Sequence, residues 1–143
     1  MEKRRVLFVC SHNSARSQMA EAWLNHLGPD KWEAFSAGLE PGVLNPLAVE
    51  VMEEVGIDIA HNKTKSVMDI VKQGIVSSFV ITVCDESEAE KCPVFPAITR
   101  RLHWSLPDPA KLTGTYEEQL DATRRIRDQI KEKVISFIRE NEG

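Results

Sequence analysis

The sequence predicts an α/β fold: a doubly wound, four-stranded parallel sheet in the order 2-1-3-4, with helices on both faces. Three observations carry this. Residues 6–9 are an unbroken apolar run and 79–84 a second, β-branched-rich run of strand length, the signature of strands buried on both faces of a parallel sheet. The intervening segments carry apolar residues at helical spacing. Strand and helix alternate along the whole chain, without internal repeat, low-complexity tract or linker, as right-handed βαβ crossovers require.

Residues 6–9 form the first strand. A helix follows over 18–27, with Met19, Trp23 and Leu27 on one stripe, Ala20 and Leu24 beside it, and Gly28-Pro29 as its stop. Residues 32–36 are a short strand running into Ser36-Ala37-Gly38. Asn45-Pro46 opens a second helix, a cap followed by proline at the first helical position. Leu47, Val51, Met52 and Val55 face inward and Gly56 ends it. Val67, Ile70 and Val71 mark a third, short helix. Residues 79–84 and 99–104 are the third and fourth strands. Between them, 85–91 is polar and acidic, one helical turn at most. Residues 117–141 form the longest helix, with Leu120, Ile126, Ile130, Val134 and Phe137 along one face. The order 2-1-3-4 sets the first and third strands side by side, with the ligand crevice at their carboxyl ends. Cys10 ends the first and Cys84 the third. Adjacent strands lie about 4.8 Å apart, so both sulfurs are expected to open onto one crevice.

The 143 residues suit a single domain spanning 1–143. A hydrophobic content of 42% suffices for one core, and no apolar run reaches the ~18 residues of a membrane span. The apolar run after the basic start is too short for a signal peptide, so a cytoplasmic protein is expected. Net charge is −4, which argues against nucleic acid as partner. An anionic ligand must then be drawn by local donors. Three cysteines without an export signal disfavour a disulfide framework and leave thiol chemistry or burial.

Residues 4–17 hold the chemistry. Ser11, His12, Asn13, Ser14 and Ala15 link a strand to a helix, ending at Arg16. Backbone N–H groups of such a loop, together with a helix N-terminus, bind phosphate-like anions. Arg16 adds a planar fork that matches two oxygens of a tetrahedral oxyanion. The same positive surroundings favour a thiolate at Cys10, and the Ser17 hydroxyl is placed to donate to that sulfur. Asn13 is a residue type that tolerates left-handed backbone and can brace the loop. Glu21 is available to pair with Arg16 or join a cation site. A bare Cys-x5-Arg is a weak motif; strand, polar loop, Arg-Ser and helix in that order is a strong one.

The run from Cys10 to Glu21 resembles the signature loop of low-molecular-weight tyrosine phosphatases, and still more that of the thioredoxin-coupled arsenate reductases built on the same fold. The similarity continues through Ser36-Ala37-Gly38, Asn45-Pro46, residues 55–59, Thr82-Val83-Cys84, Cys92-Pro93, His103-Trp104 and Asp108-Pro109, nearly the whole chain. It implies a low-molecular-weight-phosphatase-like fold, Cys10 as attacking nucleophile, Arg16 as oxyanion clamp, Asp108 as general acid and Ser36 as a brace for Asn13.

A phosphatase of this fold needs one cysteine. Arsenic(V) can be reduced by thiols, and this sequence offers a relay suited to it. Cys10 attacks arsenate, Cys84 attacks the Cys10 sulfur, and Cys92 attacks Cys84 to leave a Cys84–Cys92 disulfide. The polar 85–91 segment can refold locally at low cost. With both resolving thiols in the chain, the resemblance implies thioredoxin as reductant, arsenate as substrate, and phosphate or sulfate as competing oxyanions. A monomer is expected, with no cofactor and no metal. Relatives that bind potassium use Asn13, Glu21, Ser36 and an acidic residue where Lys65-Ser66 stand here, so that cation site is expected to be weak or missing. Position 15 is alanine where many relatives carry a second loop cysteine. Seven residues rather than six separate Cys84 from Cys92. His12, His26, His61 and His103 are read as structural or surface residues, and Trp104 as core packing near the site. Two alternatives compete: a phosphatase working through a phosphocysteine at Cys10, and a redox sensor using Cys84 and Cys92. Ala110-Lys111-Leu112 after the Asp-Pro makes a poor wall for a phosphotyrosine ring.

Overall fold

The computed structural model describes residues 3–84 and 99–142; Cys92 and the 85–91 segment lie outside the described residues. Strands β1 (Arg4–Cys10), β2 (Trp32–Gly38), β3 (Phe79–Thr82) and β4 (Arg100–His103) form one sheet in the order β2-β1-β3-β4. All three pairings are parallel. The helices are α1 (Arg16–Leu27), α2 (Pro46–Glu54), α3 (Val67–Lys72) and α4 (Tyr116–Glu140), with a 3₁₀ turn at Pro109–Lys111. The expected topology is the one observed.

The register explains why β1 meets a crevice at its carboxyl end. Val9 lies opposite Thr82 of β3, and Cys10 opposite Gly38 of β2. β3 stops at Thr82, two residues short of the sequence reading. The Val83 N–H still donates to the Val9 carbonyl at 2.8 Å, and Cys84 then bends away from the ladder. Gly38 is glycine by necessity, since a Cβ there would sit 2.7 Å from both the Asn13 nitrogen and the His12 carbonyl carbon.

Alternation along β1 divides the core. Val6, Phe8 and Cys10 join Phe79 and Ile81 against α1, α2 and α4, with Met19, Trp23, Leu24, Val51, Met52, Ile130, Val134 and Phe137. Leu7, Val9 and Val80 face the other way onto Val67 and Ile70 of α3. Phe137 anchors the larger side, 4.9 Å from the Phe79 ring edge-on and 5.0 Å from Trp32. Trp104 packs 5.7 Å from Phe8. Leu27, expected inside, is exposed, because it closes the last turn of α1. Val71 is also exposed, on the outer side of α3. Among the described residues no helix is long and apolar enough to cross a membrane.

Candidate active site

The sequence reading starts the first helix at residue 18; in the structure α1 begins at Arg16, and its cap position is Ala15, which offers no side-chain cap. The other N-termini are capped from within, by Asn45, Ser66 and Thr115. The first-turn N–H groups of α1 are therefore left for another acceptor.

The loop before α1 is held open from outside. The Cys10, Ser11, His12 and Ser14 carbonyls accept from the N–H groups of Leu39 (3.1 Å), Glu40 (2.9 Å), Gly42 (2.9 Å) and Asn45 (2.8 Å). The Asn13 carbonyl accepts from the Gln18 amide at 3.2 Å. No described peptide is cis, and in a trans peptide the N–H points opposite its own carbonyl. With five consecutive carbonyls turned outward, the N–H groups of residues 11–15 face the loop interior. One of them is caught doing so: the Asn13 N–H points at Cys10 Sγ, 3.1 Å away. Asn13 holds φ at 56°, the left-handed conformation that asparagine tolerates.

Cys10 lies beneath this ring, 2% exposed. Its sulfur is 2.9 Å from Ser17 Oγ, and that hydroxyl accepts from Asn13 Nδ2 at 2.8 Å. A hydroxyl that accepts from the amide keeps its own proton free for the sulfur, so the Asn13 N–H and the Ser17 hydroxyl are both placed to donate to Cys10 Sγ. Arg16 is buried and reaches across to the segment after β4. Its Nη1 donates to the Leu106 carbonyl at 3.1 Å, and its Nη2 lies 3.5 Å from Asp108 Oδ2. The Asp108 carboxyl is divided: Oδ1 accepts from the Ala110 N–H at 2.9 Å and caps the 3₁₀ turn, while Oδ2 faces Arg16. It is a turn former and a site carboxylate at once. The assembly is a ring of inward N–H groups and a guanidinium of a kind that can accept a tetrahedral oxyanion, with the Cys10 sulfur at its floor and the Asp108 carboxyl at its rim.

The sequence pattern that defines the low molecular weight phosphotyrosine protein phosphatases matches residues 5–142. The chain belongs to that family. Within it, the chain is similar to an arsenate reductase of Bacillus licheniformis, 44% identical over 96% of this chain and 96% of that protein. A solved arsenate reductase in its phosphate-binding state superposes with a TM-score of 0.73 at 32% identity, covering 97% of this chain and 99% of that one. A thioredoxin-dependent arsenate reductase of Corynebacterium glutamicum superposes with a TM-score of 0.64 at 28% identity, covering 93% of this chain and 62% of that one.

Set in the phosphatase fold, the residues singled out from sequence divide into those brought together and those placed elsewhere. Cys10, Asn13, Arg16, Ser17 and Asp108 converge. Cys84 is buried in the same core cluster as Cys10, on the same side of the sheet and at the same carboxyl edge. Ser36 corrects the reading. Its hydroxyl donates to Glu21 Oε1 at 3.1 Å, and Asn13 is braced by Gln18 and by the Lys65 N–H, which donates to its Oδ1 at 2.9 Å. Glu21 therefore does not pair with Arg16. Burial pushes its carboxyl above the usual carboxylate range, against the opposing pull of nearby Lys65 and the Ser36 hydrogen bond. Among the described residues no group of three or more His, Cys, Asp or Glu side chains is placed to hold a metal ion. His12 is exposed, with Nδ1 bonded to the Glu40 carbonyl at 2.9 Å; His103 bonds Thr82 Oγ1 at 2.6 Å.

Sequence reading missed Gln18 and the 39–45 strap. Gln18 is fully buried, yet by helical spacing it lies across α1 from the stripe of Met19, Trp23 and Leu27, so the sequence pattern does not mark it; only its buried amide's need for partners reveals its role in the structure. The strap acts through main-chain N–H groups, which carry no residue-type signal.

Proposed function

We propose that this chain reduces arsenate to arsenite through three thiols, with thioredoxin as the final reductant. The observation that carries the reading is the second sulfur: Cys84 follows β3 at the carboxyl edge, in the cluster that holds Cys10 beneath the oxyanion cradle. The names of the relatives, arsenate reductases among them one described as thioredoxin-dependent, support it.

The reaction runs as follows. The loop N–H groups and Arg16 hold arsenate. The Cys10 thiolate attacks arsenic; an S–As bond forms, an As–O bond breaks, and the oxygen leaves as water with a proton from Asp108. The Cys84 thiolate then attacks the Cys10 sulfur. An S–S bond forms, the S–As bond breaks, and its electron pair stays on arsenic, which leaves as arsenite in the +3 state. Cys92 attacks the Cys84 sulfur, frees the Cys10 thiolate and closes a Cys84–Cys92 disulfide. A thioredoxin dithiol reduces that disulfide, so two electrons enter for each arsenate. In this reading the protein works as a cytoplasmic monomer of one domain and draws on no metal or organic cofactor.

The test is NADPH oxidation in a mixture of protein, arsenate, thioredoxin, thioredoxin reductase and NADPH. Sustained turnover is expected, abolished by Cys10→Ser, Cys84→Ser or Cys92→Ser. Full multiple turnover by Cys84→Ser or Cys92→Ser would falsify the relay. The family relationship favours one second reading, hydrolysis of a phosphoester through a phosphocysteine at Cys10. It needs Cys10 alone, so slow phosphatase activity indifferent to Cys84→Ser and Cys92→Ser is its mark.

A further inference from the structure

Gln18 is fully buried, and its amide makes four hydrogen bonds. The two Nε2 protons are shared among the Asn13 carbonyl (3.2 Å), Asn13 Oδ1 (3.0 Å) and the Lys63 carbonyl (3.1 Å), while Oε1 accepts from Asn62 Nδ2 at 3.1 Å. Main-chain groups dictate which way this amide faces. The Lys63 and Asn13 carbonyls can only accept, so the Gln18 nitrogen must face them. The Lys65 N–H can only donate, so Asn13 turns Oδ1 to it and Nδ2 to Ser17 Oγ. The Ser17 hydroxyl, accepting there, is left with its proton to donate to Cys10 Sγ, 2.9 Å away. Turned over, Gln18 would set its oxygen against three acceptors at a buried site and leave them unsatisfied.

We infer that Gln18 is a positioning residue for Cys10: together with the Lys65 N–H its amide sets which way Asn13 faces, and through Asn13 and Ser17 it points both donors at the sulfur. It also clasps the main chain and side chain of Asn13 together, which holds that residue in its left-handed conformation. A core-filling role alone explains neither the four polar partners nor their direction. The inference rests on Cys10 as the nucleophile and not on which oxyanion it attacks.

Asn62 offers a way to reverse the pattern from outside the loop, because it is only half-buried and touches neither Cys10 nor Ser17 in any hydrogen bond described. In Asn62→Asp the side chain only accepts. Its oxygen then faces Gln18 Oε1, acceptor against acceptor, and works against the orientation that the Asn13 and Lys63 carbonyls impose. Asn62→Leu removes the bond but leaves the orientation under the control of those carbonyls. Two readouts apply, neither needing arsenate. One is the rate at which iodoacetamide alkylates Cys10, followed by mass spectrometry of the tryptic peptide 6–16. The other is the ultraviolet absorbance of the Cys10 thiolate, taken as the difference from Cys10→Ser in the same background.

Asn62→Asp and Gln18→Met are each expected to slow alkylation about tenfold and to reduce the thiolate absorbance, as loss of one well-directed hydrogen bond to a charged sulfur implies. Asn62→Leu is expected to stay within about twofold of the parent, the usual range for a substitution without a specific mechanism. In a Gln18→Met background Asn62→Asp is expected to do nothing further; Gln18→Ala serves as that background where methionine does not give a folded protein. Three results overturn the inference: equal slowing by Asn62→Asp with and without Gln18, which is a plain field effect of the new charge; slowing by Asn62→Leu as large as by Asn62→Asp; or unchanged alkylation when Gln18 is replaced. A parent protein that is alkylated as expected but does not turn over arsenate defeats the functional reading and leaves this one standing.

Discussion

Two helix N-termini in this molecule are built in opposite ways. At α4, Thr115 accepts from the Glu118 N–H at 3.1 Å and Glu118 returns the bond to the Thr115 N–H at 3.3 Å. Two acidic residues, Glu117 and Glu118, lie in the first turn. At α1 the cap is Ala15, no acidic residue lies in the first turn, and the preceding loop turns its carbonyls away. The first arrangement spends the positive end of the helix on its own side chains and gains stability. The second leaves that end for an anion, and supports the exposed donors by tying the loop to residues 39–45, 63 and 65 instead. Stability and binding draw on the same orphan N–H groups, so a helix end optimised for one is lost to the other.

Substitutions at the two ends should therefore separate affinity from stability. The largest effect is expected at α1. Arg16→Lys keeps the charge but loses the planar fork that spans to Leu106 and Asp108; kcat/KM for arsenate should fall roughly 10- to 100-fold, the range that loss of a charged hydrogen bond implies. Steady-state kinetics checks this, and inorganic phosphate should protect Cys10 from alkylation correspondingly less well. At α4, Thr115→Ala should cost about 1 kcal/mol of stability, seen as a lower denaturation midpoint, with phosphate protection and kcat/KM unchanged. A loss of anion affinity in Thr115→Ala would break the contrast.

The smallest effect is expected inside α1, at Glu21. Its carboxyl is raised above the usual range chiefly by burial, so the native state holds the proton more tightly than the unfolded chain. Below the unfolded value, both states are protonated and Glu21 is neutral toward stability. As pH rises through the window up to the raised native value, the native state loses ground. Glu21→Gln removes that loss and can still accept from Ser36. Its melting temperature relative to the parent should improve from acid to neutral pH. An advantage that is flat across this range would show that burial does not dominate at Glu21.

Most of the site was legible in the chain because its parts are contiguous. Cys10, Asn13, Arg16 and Ser17 lie within one strand–loop–helix unit, and local geometry brings them into one ring. Asp108 was legible as a candidate, but its division between Ala110 and Arg16 was not, since 91 residues of sequence lie between it and Arg16. Ser36 was assigned to the wrong partner for a similar reason. The helical turn between Ser17 and Glu21 places the Glu21 carboxylate under β2, where the Ser36 hydroxyl meets it first.

What the amino-acid order determined alone is the alternation of strands and helices, the parallel order of the sheet, and the oxyanion loop with its sulfur. Each follows from periodicity, capping and covalent neighbourhood, which act over a few residues. The tertiary structure decided the rest: the outward turn of five loop carbonyls, the burial of Gln18 between Asn13 and Lys63, and the reach of Arg16 to Leu106 and Asp108. Those depend on directed bonds between distant segments, many to main-chain atoms, and peptide N–H and C=O groups are nearly the same at every position. Side-chain identity cannot announce which of them will meet.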